Sequence, residues 1–281
     1  MEIINSGRAP VRKAEAQGER VARSNEFEWL ARAGLVARGA VYGIIGILAV
    51  ELALGEGGKT TNQKGALKTI AHQPLGKVLL ILLAAGLAGY AVWRLVRAAI
   101  GHGTEGSDDA KERIAGLVSG IAYATLCVTA VEIVVGSRAG GGASSHPNKT
   151  TGGVLGWPAG RVIVVVIGLI IVGVALEQAY KGIKRKFLEQ SKTEEMGPGM
   201  RAAFTAVGVF GHLSRFVVFG LVGYFLVRAA LLYKPDEAVG LDGALTALGQ
   251  SSYGPVLLGV VAAGLIGFGL YSVLDARYRR V

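Results

Sequence analysis

Glu51, Glu132 and Arg228 each lie inside a long apolar run of the sequence. An ionisable group in a run that crosses a bilayer is costly, and it is commonly tied to an ion or substrate path or to another such group. Two carboxylates and one guanidinium at a common depth make a candidate intramembrane charge cluster, because the planar fork of Arg228 can bridge two carboxylates. The functional reading of this set is an ion or substrate gate. The structural reading is a pair, or side chains that snorkel to the outer interface, and it is the favoured one.

Four further residues are candidate inner-side polar positions: Arg38, Arg215, Arg94 and Glu177. Arg38 and Arg215 could hold a lipid phosphate or an acidic partner; anchoring at the interface is the plainer expectation. Glu177 is a carboxylate where the equivalent positions carry Trp93 and Tyr271, and it is expected to pair with Arg94 or Arg97. Trp93 and Tyr271 read as interfacial belt residues. The histidines (His72, His102, His146, His212) are scattered, so no zinc or di-iron spacing arises and no metal or cofactor is expected. On its apolar run, His212 could be an axial haem ligand; a packing histidine is favoured. Cys127 is a single cysteine, which excludes an intrachain disulfide and reads as a small packing residue. No signature of catalysis is present, and the expectation is that the chain is not an enzyme.

The elements that must position these residues are apolar runs near 33–54, 75–100, 112–136, 158–182, 202–232 and 254–277. Each can cross a ~30 Å hydrocarbon core as a helix rising ~1.5 Å per residue. The composition agrees: 281 residues, 51% hydrophobic, with 43 glycines, and glycine is frequent in membrane helices. The net charge of +10 sits largely at the ends of the runs, which argues for membrane orientation and against nucleic acid. Lys and Arg concentrate on the side of the two termini, so the positive-inside rule predicts a multi-pass protein of the cell membrane with both termini cytoplasmic. The hairpin loops near 55–74, 137–157 and 233–253 then face outward. Residues 1–28 form a polar cytoplasmic segment without an apolar leader region, so the first run is expected to be an uncleaved anchor.

The runs are related. When Tyr42 is set on Tyr123, Gly39 falls on Gly120 and Glu51 on Glu132. When Arg38 is set on Arg215, Gly34 falls on Gly211, Gly43 on Gly220 and Gly46 on Gly223. Among the even-numbered runs, Gly76, Gly160 and Gly254 correspond, as do Gly89, Gly173 and Gly267. The outer loops of the first and third copies share Gly-Ala-Leu (Gly65 to Leu67, Gly243 to Leu245), and the middle copy has Ser119 in place of Arg38. This predicts an all-α polytopic membrane protein, its six transmembrane helices forming three parallel helical-hairpin repeats with a pseudo-threefold arrangement. The repeats cover 29–103, 111–187 and 200–281. Small residues on one face of several helices, such as Gly39 with Gly43, suit close helix packing.

Two stretches carry a family resemblance: WLARAGLVARGAVYGIIGILA from Trp29 to Ala49, and PLGKVLLILLAAGLAGYAVWRLVRA from Pro74 to Ala98. They resemble the bacterial membrane family catalogued as domain of unknown function 1206, described as a two-helix unit occurring in threes. The resemblance implies this architecture and no activity. From the residues themselves, the favoured function is a non-catalytic scaffold or a subunit of a membrane complex. Its partners are membrane lipids and either a membrane-protein partner or further copies of the chain. The alternative is a small channel or transporter with a pathway along the repeat axis.

Overall fold

The structure is a computed structural model that describes residues 25–55, 63–72, 76–100, 110–135 and 147–280. Most of the polar segment 1–28 lies outside the described residues. Nine α-helices are present among the described residues: α1 (Asn25–Ala53), α2 (Gln63–Ala71), α3 (Gly76–Ile100), α4 (Ala110–Val135), α5 (Pro147–Leu155), α6 (Gly160–Ile183), α7 (Pro198–Leu231), α8 (Leu241–Gly249) and α9 (Gly254–Tyr278). Six of them (α1, α3, α4, α6, α7 and α9) are long and apolar enough to cross a membrane. The chain is a polytopic all-helical membrane protein.

The sequence reading treats the three hairpin connections as loops, and here the structure adds an element. Each connection contains a nine-residue helix (α2, α5, α8) ahead of the second long helix of its repeat. The shared Gly-Ala-Leu becomes the inward face of two of these helices, since Ala66, Leu67, Ala244 and Leu245 are fully buried. A glycine closes the corner into each following helix. A Cβ at Gly160 would sit 1.8 Å from the Val154 carbonyl oxygen, and one at Gly254 would sit 1.8 Å from that of Gly249.

The long helices pack in a consistent sense. The second helix of each repeat lies on the first helix of the next: α3 on α4, α6 on α7 and, closing the cycle, α9 on α1. Within repeats, α1 packs on α3 and α7 on α9, whereas α4 and α6 of the middle repeat make no comparable contact. The expected pseudo-threefold arrangement is therefore not established: its between-repeat pairings are present, and one of its three hairpins is open.

Side-chain size explains the open hairpin. On α3, Gly86 lies against the Ala33 carbonyl oxygen, 2.8 Å from where a Cβ would be, and against the methyl of Ala37. On α9, Gly264 meets Phe210 and Ser214 of α7 in the same register. The middle repeat places Ile170 where these glycines stand, and Ile114 and Val118 where repeat one has Ala33 and Ala37. Without a small residue two helix backbones cannot approach closely in lipid. Accordingly Ile114, Val118 and Ile170 are all more than half exposed, at 62%, 57% and 58%.

The core follows from these contacts. Ile45 and Ala49 of α1, Leu80 and Leu87 of α3, and Leu258, Ala262 and Leu265 of α9 fill the half of the bundle nearer the hairpins. The opposite end, where α1 begins and α9 finishes, is closed differently. Residues 184–197 between α6 and α7 fold into two 3-10 turns, Lys186–Gln190 and Thr193–Glu195. The segment is tied to the end of α9 by the Lys192 N–H donating to the Tyr278 carbonyl (2.7 Å) and the Arg280 N–H donating to that of Gln190 (3.1 Å). Its Phe187 is buried against Phe204, His212 and Tyr271. The ring fits because position 208 is glycine, where a Cβ would fall 2.5 Å from the ring edge.

Candidate functional site

The outer charge set is not assembled as a triad. Arg228, near the end of α7, pairs with Glu237 of the following turn at 3.4 Å. Among the described residues neither Glu51 nor Glu132 forms an ion pair with it, and both carboxylates are half-buried on separate helices. The bridging geometry that would make these three residues a gate is absent. Arg228 and Glu237 are substantially exposed, and an exposed pair of this kind contributes at most ~1 kcal/mol.

The inner positions are the ones the fold brings together. Arg38 on α1 is buried, at 8% exposure, and is not an interface anchor. Its Nε donates to the Ser272 hydroxyl of α9 at 2.8 Å, and its Nη1 donates to the Tyr90 hydroxyl of α3 at 2.9 Å. Its Nη2 lies 3.8 Å from Asp275 Oδ2. Arg94 Nε donates to the same Tyr90 oxygen at 3.1 Å. One phenol thus receives two guanidiniums from two helices.

Asp275 is the hub on the other side. It is completely buried, so its charge has to be matched. Oδ2 accepts from Arg279 Nη1 at 3.1 Å as well as facing Arg38, and Oδ1 accepts from the Ser191 hydroxyl at 3.1 Å. Ser191 belongs to the folded segment between α6 and α7. One carboxylate therefore joins α1, α9 and that segment.

Aromatic rings complete the cluster. The Arg215 guanidinium of α7 lies over the rings of Phe268, Phe219 and Tyr42, at 4.3, 5.0 and 5.2 Å from their centroids. Arg38 lies over Phe268 at 5.2 Å, and Arg94 over Trp93 at 5.3 Å. Such contacts gain strength where water is absent. Trp93 and Tyr271 are buried at 2% and 3%, so they line the bundle interior and are not belt residues at its surface. Glu177 pairs with Lys181 on its own helix at 2.9 Å, and not with Arg94 as its position had suggested. His212 is a packing histidine: Nδ1 is 2.8 Å from Gln178 Oε1 and the ring stacks on Phe187. Among the described residues no group of three His, Cys, Asp or Glu side chains is placed to hold a metal ion.

A model of one family matches the chain three times in succession, at residues 33–101, 114–185 and 210–279. The chain belongs to that family. It is described as Domain of Unknown Function (DUF1206). A relative, the "Uncharacterized protein YxxB" of Bacillus subtilis (strain 168), is 30% identical over 254 residues, covering 89% of this chain and 90% of its own. No solved structure matches the chain.

The sequence singles out Arg38, Arg94 and Arg215 but does not disclose that Tyr90 joins Arg38 to Arg94 or that Arg38 meets Ser272 and Asp275. A signal for Asp275 was present. The second long helices of the three repeats carry Arg97, Lys181 and Asp275 at one equivalent position, and a single carboxylate among cations marks the place where a charge is being answered.

Proposed function

We propose that this DUF1206 protein is a non-catalytic scaffold, a subunit of a membrane complex, lying in the cell membrane with both termini cytoplasmic. The observation that carries this reading is the folded segment 184–197. A connection needed only to join two spans has no reason to bury Phe187 and Ser191 and to return to α9 through two backbone hydrogen bonds. Rigid, charged surface on the end bearing the termini is what a docking platform requires. Beside it runs an open groove lined by Arg185, Met196, Pro198, Arg201 and Thr205, a basic surface suited to an acidic segment of a partner protein.

Conduction is the weaker reading. A channel needs polar groups through the full depth of the membrane, and the half of the core nearer the hairpins is packed with Ile45, Leu80, Leu87 and Leu265. Nucleic acid is not a partner in this reading, because the basic residues are accounted for by orientation and by the inner cluster.

The test is native mass spectrometry of the tagged protein extracted gently from its own membrane. A partner of fixed stoichiometry is expected, and it should be lost from the Arg185→Glu, Arg201→Glu double variant while the fold is kept. A chain that travels alone, together with ion flux into liposomes that disappears in Glu51→Gln plus Glu132→Gln, would replace the scaffold with the transport reading. Orientation is checked by labelling single cysteines at Ser251 and Glu189, in a Cys127→Ala background, with a membrane-impermeant maleimide on intact cells. Labelling at position 251 alone is expected.

A further inference from the structure

Arg215 and Arg38 are equivalent residues with opposite circumstances. Arg38 has three polar partners: Tyr90, Ser272 and Asp275. At Arg215 every one of them is changed. The residue equivalent to Tyr90 is Phe268, which has no hydroxyl. The equivalent of Ser272 is Gln178, whose Oε1 is engaged by His212. The equivalent of Asp275 is Lys181, a second cation, itself paired with Glu177. Among the described residues Arg215 makes no hydrogen bond and no ion pair, and its Nε is sealed from solvent without an acceptor. A guanidinium held among three aromatic rings inside a membrane protein is strongly disfavoured unless something answers its charge.

The open middle hairpin supplies the way in. Arg215 points at rings on α1, α7 and α9, in the interior, yet it remains partly exposed, as do Tyr123 and Leu126 on α4 and Phe219 and Val222 on α7. The side of the bundle left unsealed is the one between α4 and α6. These two helices expose Ile114 and Val118 on α4 and Ile163, Ile167, Ile170 and Val174 on α6. From Ile163 to Val174 the exposed stripe runs ~17 Å at ~1.5 Å per residue, about one leaflet of a ~30 Å core. A guanidinium lacking a counterion therefore lies in a bundle whose open side presents an apolar stripe about one acyl chain long.

We infer that Arg215 binds the phosphate of an anionic phospholipid that enters between α4 and α6, with an acyl chain lying along Ile170, Ile167 and Ile163. The lipid supplies the acceptor that Asp275 supplies to Arg38, and its chain fills the space that the missing glycine leaves between the two helices. This site is separate from the groove at Arg185 and Arg201, and the proposal does not depend on a partner docking there.

The experiment is native mass spectrometry of the detergent-purified full chain, titrated with phosphatidylglycerol, with phosphatidylcholine, and with inorganic phosphate. Phosphatidylglycerol is expected to bind at one site at least about tenfold more tightly than phosphatidylcholine, consistent with a charge-assisted contact. Arg215→Gln should remove that preference, whereas Arg228→Gln should keep it. Ile170→Trp fills the space between α4 and α6 without touching the arginine cage and should weaken phosphatidylglycerol to a similar extent. Equal binding of the two lipids by the unaltered protein overturns the proposal, as does an unchanged preference in either Arg215→Gln or Ile170→Trp. Inorganic phosphate that displaces the lipid at equal concentration would assign the site to a free anion and sink the lipid.

Discussion

Asp275 shows what a single buried carboxylate can hold together. It has no exposed surface and it meets Arg38, Arg279 and Ser191 on three separate parts of the chain. Removing one partner of a buried ion pair leaves the other uncompensated, which typically costs ~3–5 kcal/mol. Asp275→Asn is therefore expected to lower the thermal unfolding temperature of the detergent-solubilised protein by more than any other single change in the cluster. Ser191→Ala, which gives up one hydrogen bond, should cost ~1 kcal/mol. Tyr90→Phe strips an acceptor from Arg38 and Arg94 together, and its effect should lie between these two. At this scale the sequence disclosed residue types but not their pairing. Arg38, Arg94 and Arg215 stand out as charges in apolar runs, yet Arg38 meets Tyr90, Ser272 and Asp275 across helix contacts that no spacing within one helix encodes. Glu177 went to Lys181 because that neighbour is one turn away on its own helix, and proximity along the helix outweighs a partner on another one.

Helices were the most legible level, because length and apolarity decide a membrane span almost alone. Each of the six apolar runs lies on its helix to within a few residues, apart from the start of the first helix at Asn25. The nine-residue helices α2, α5 and α8 were less legible. They are short and compositionally mixed, and are recognisable only through what they bury, such as Leu67 and Leu245. The open α4/α6 hairpin could have been foreseen by extending the repeat alignment to Gly86, Ile170 and Gly264. Substitution tests this cause directly. Ile170→Gly with Ile114→Ala and Val118→Ala should draw the two helices together, seen as a shortened distance between spin labels on α4 and α6. The reverse change, Gly86→Ile, should part α1 from α3 and destabilise the protein, since the added side chain meets the backbone of Ala33.

On the scale of the whole molecule, the folded segment 184–197 ties the start of α7 to the end of α9. Phe187 is its anchor, wedged among Phe204, His212 and Tyr271. Phe187→Ala is expected to cost ~3–5 kcal/mol, the usual range for an aromatic ring removed from a packed site. The segment should then become the first point of cleavage in limited proteolysis, whereas the unaltered protein should resist cutting there. A segment of this length between two spans reads as a linker from composition alone, and its order comes from contacts with α9 that lie far away in the chain.

The cyclic contacts also bear on how the protein is made. Among the described helices the strongest neighbour of α1 is α9, which leaves the ribosome long after it. Until α9 is inserted, Arg38 has neither Ser272 nor Asp275 beside it, and the helix carrying it has one unsatisfied face. Until then Arg38 has Tyr90 of α3 but no carboxylate, and its charge is expected to be shielded by lipid headgroups or by the insertion machinery. A chain ending before Gly254 would never gain that carboxylate, so quality control acting on unpaired intramembrane charge would have a ready mark for every incomplete copy.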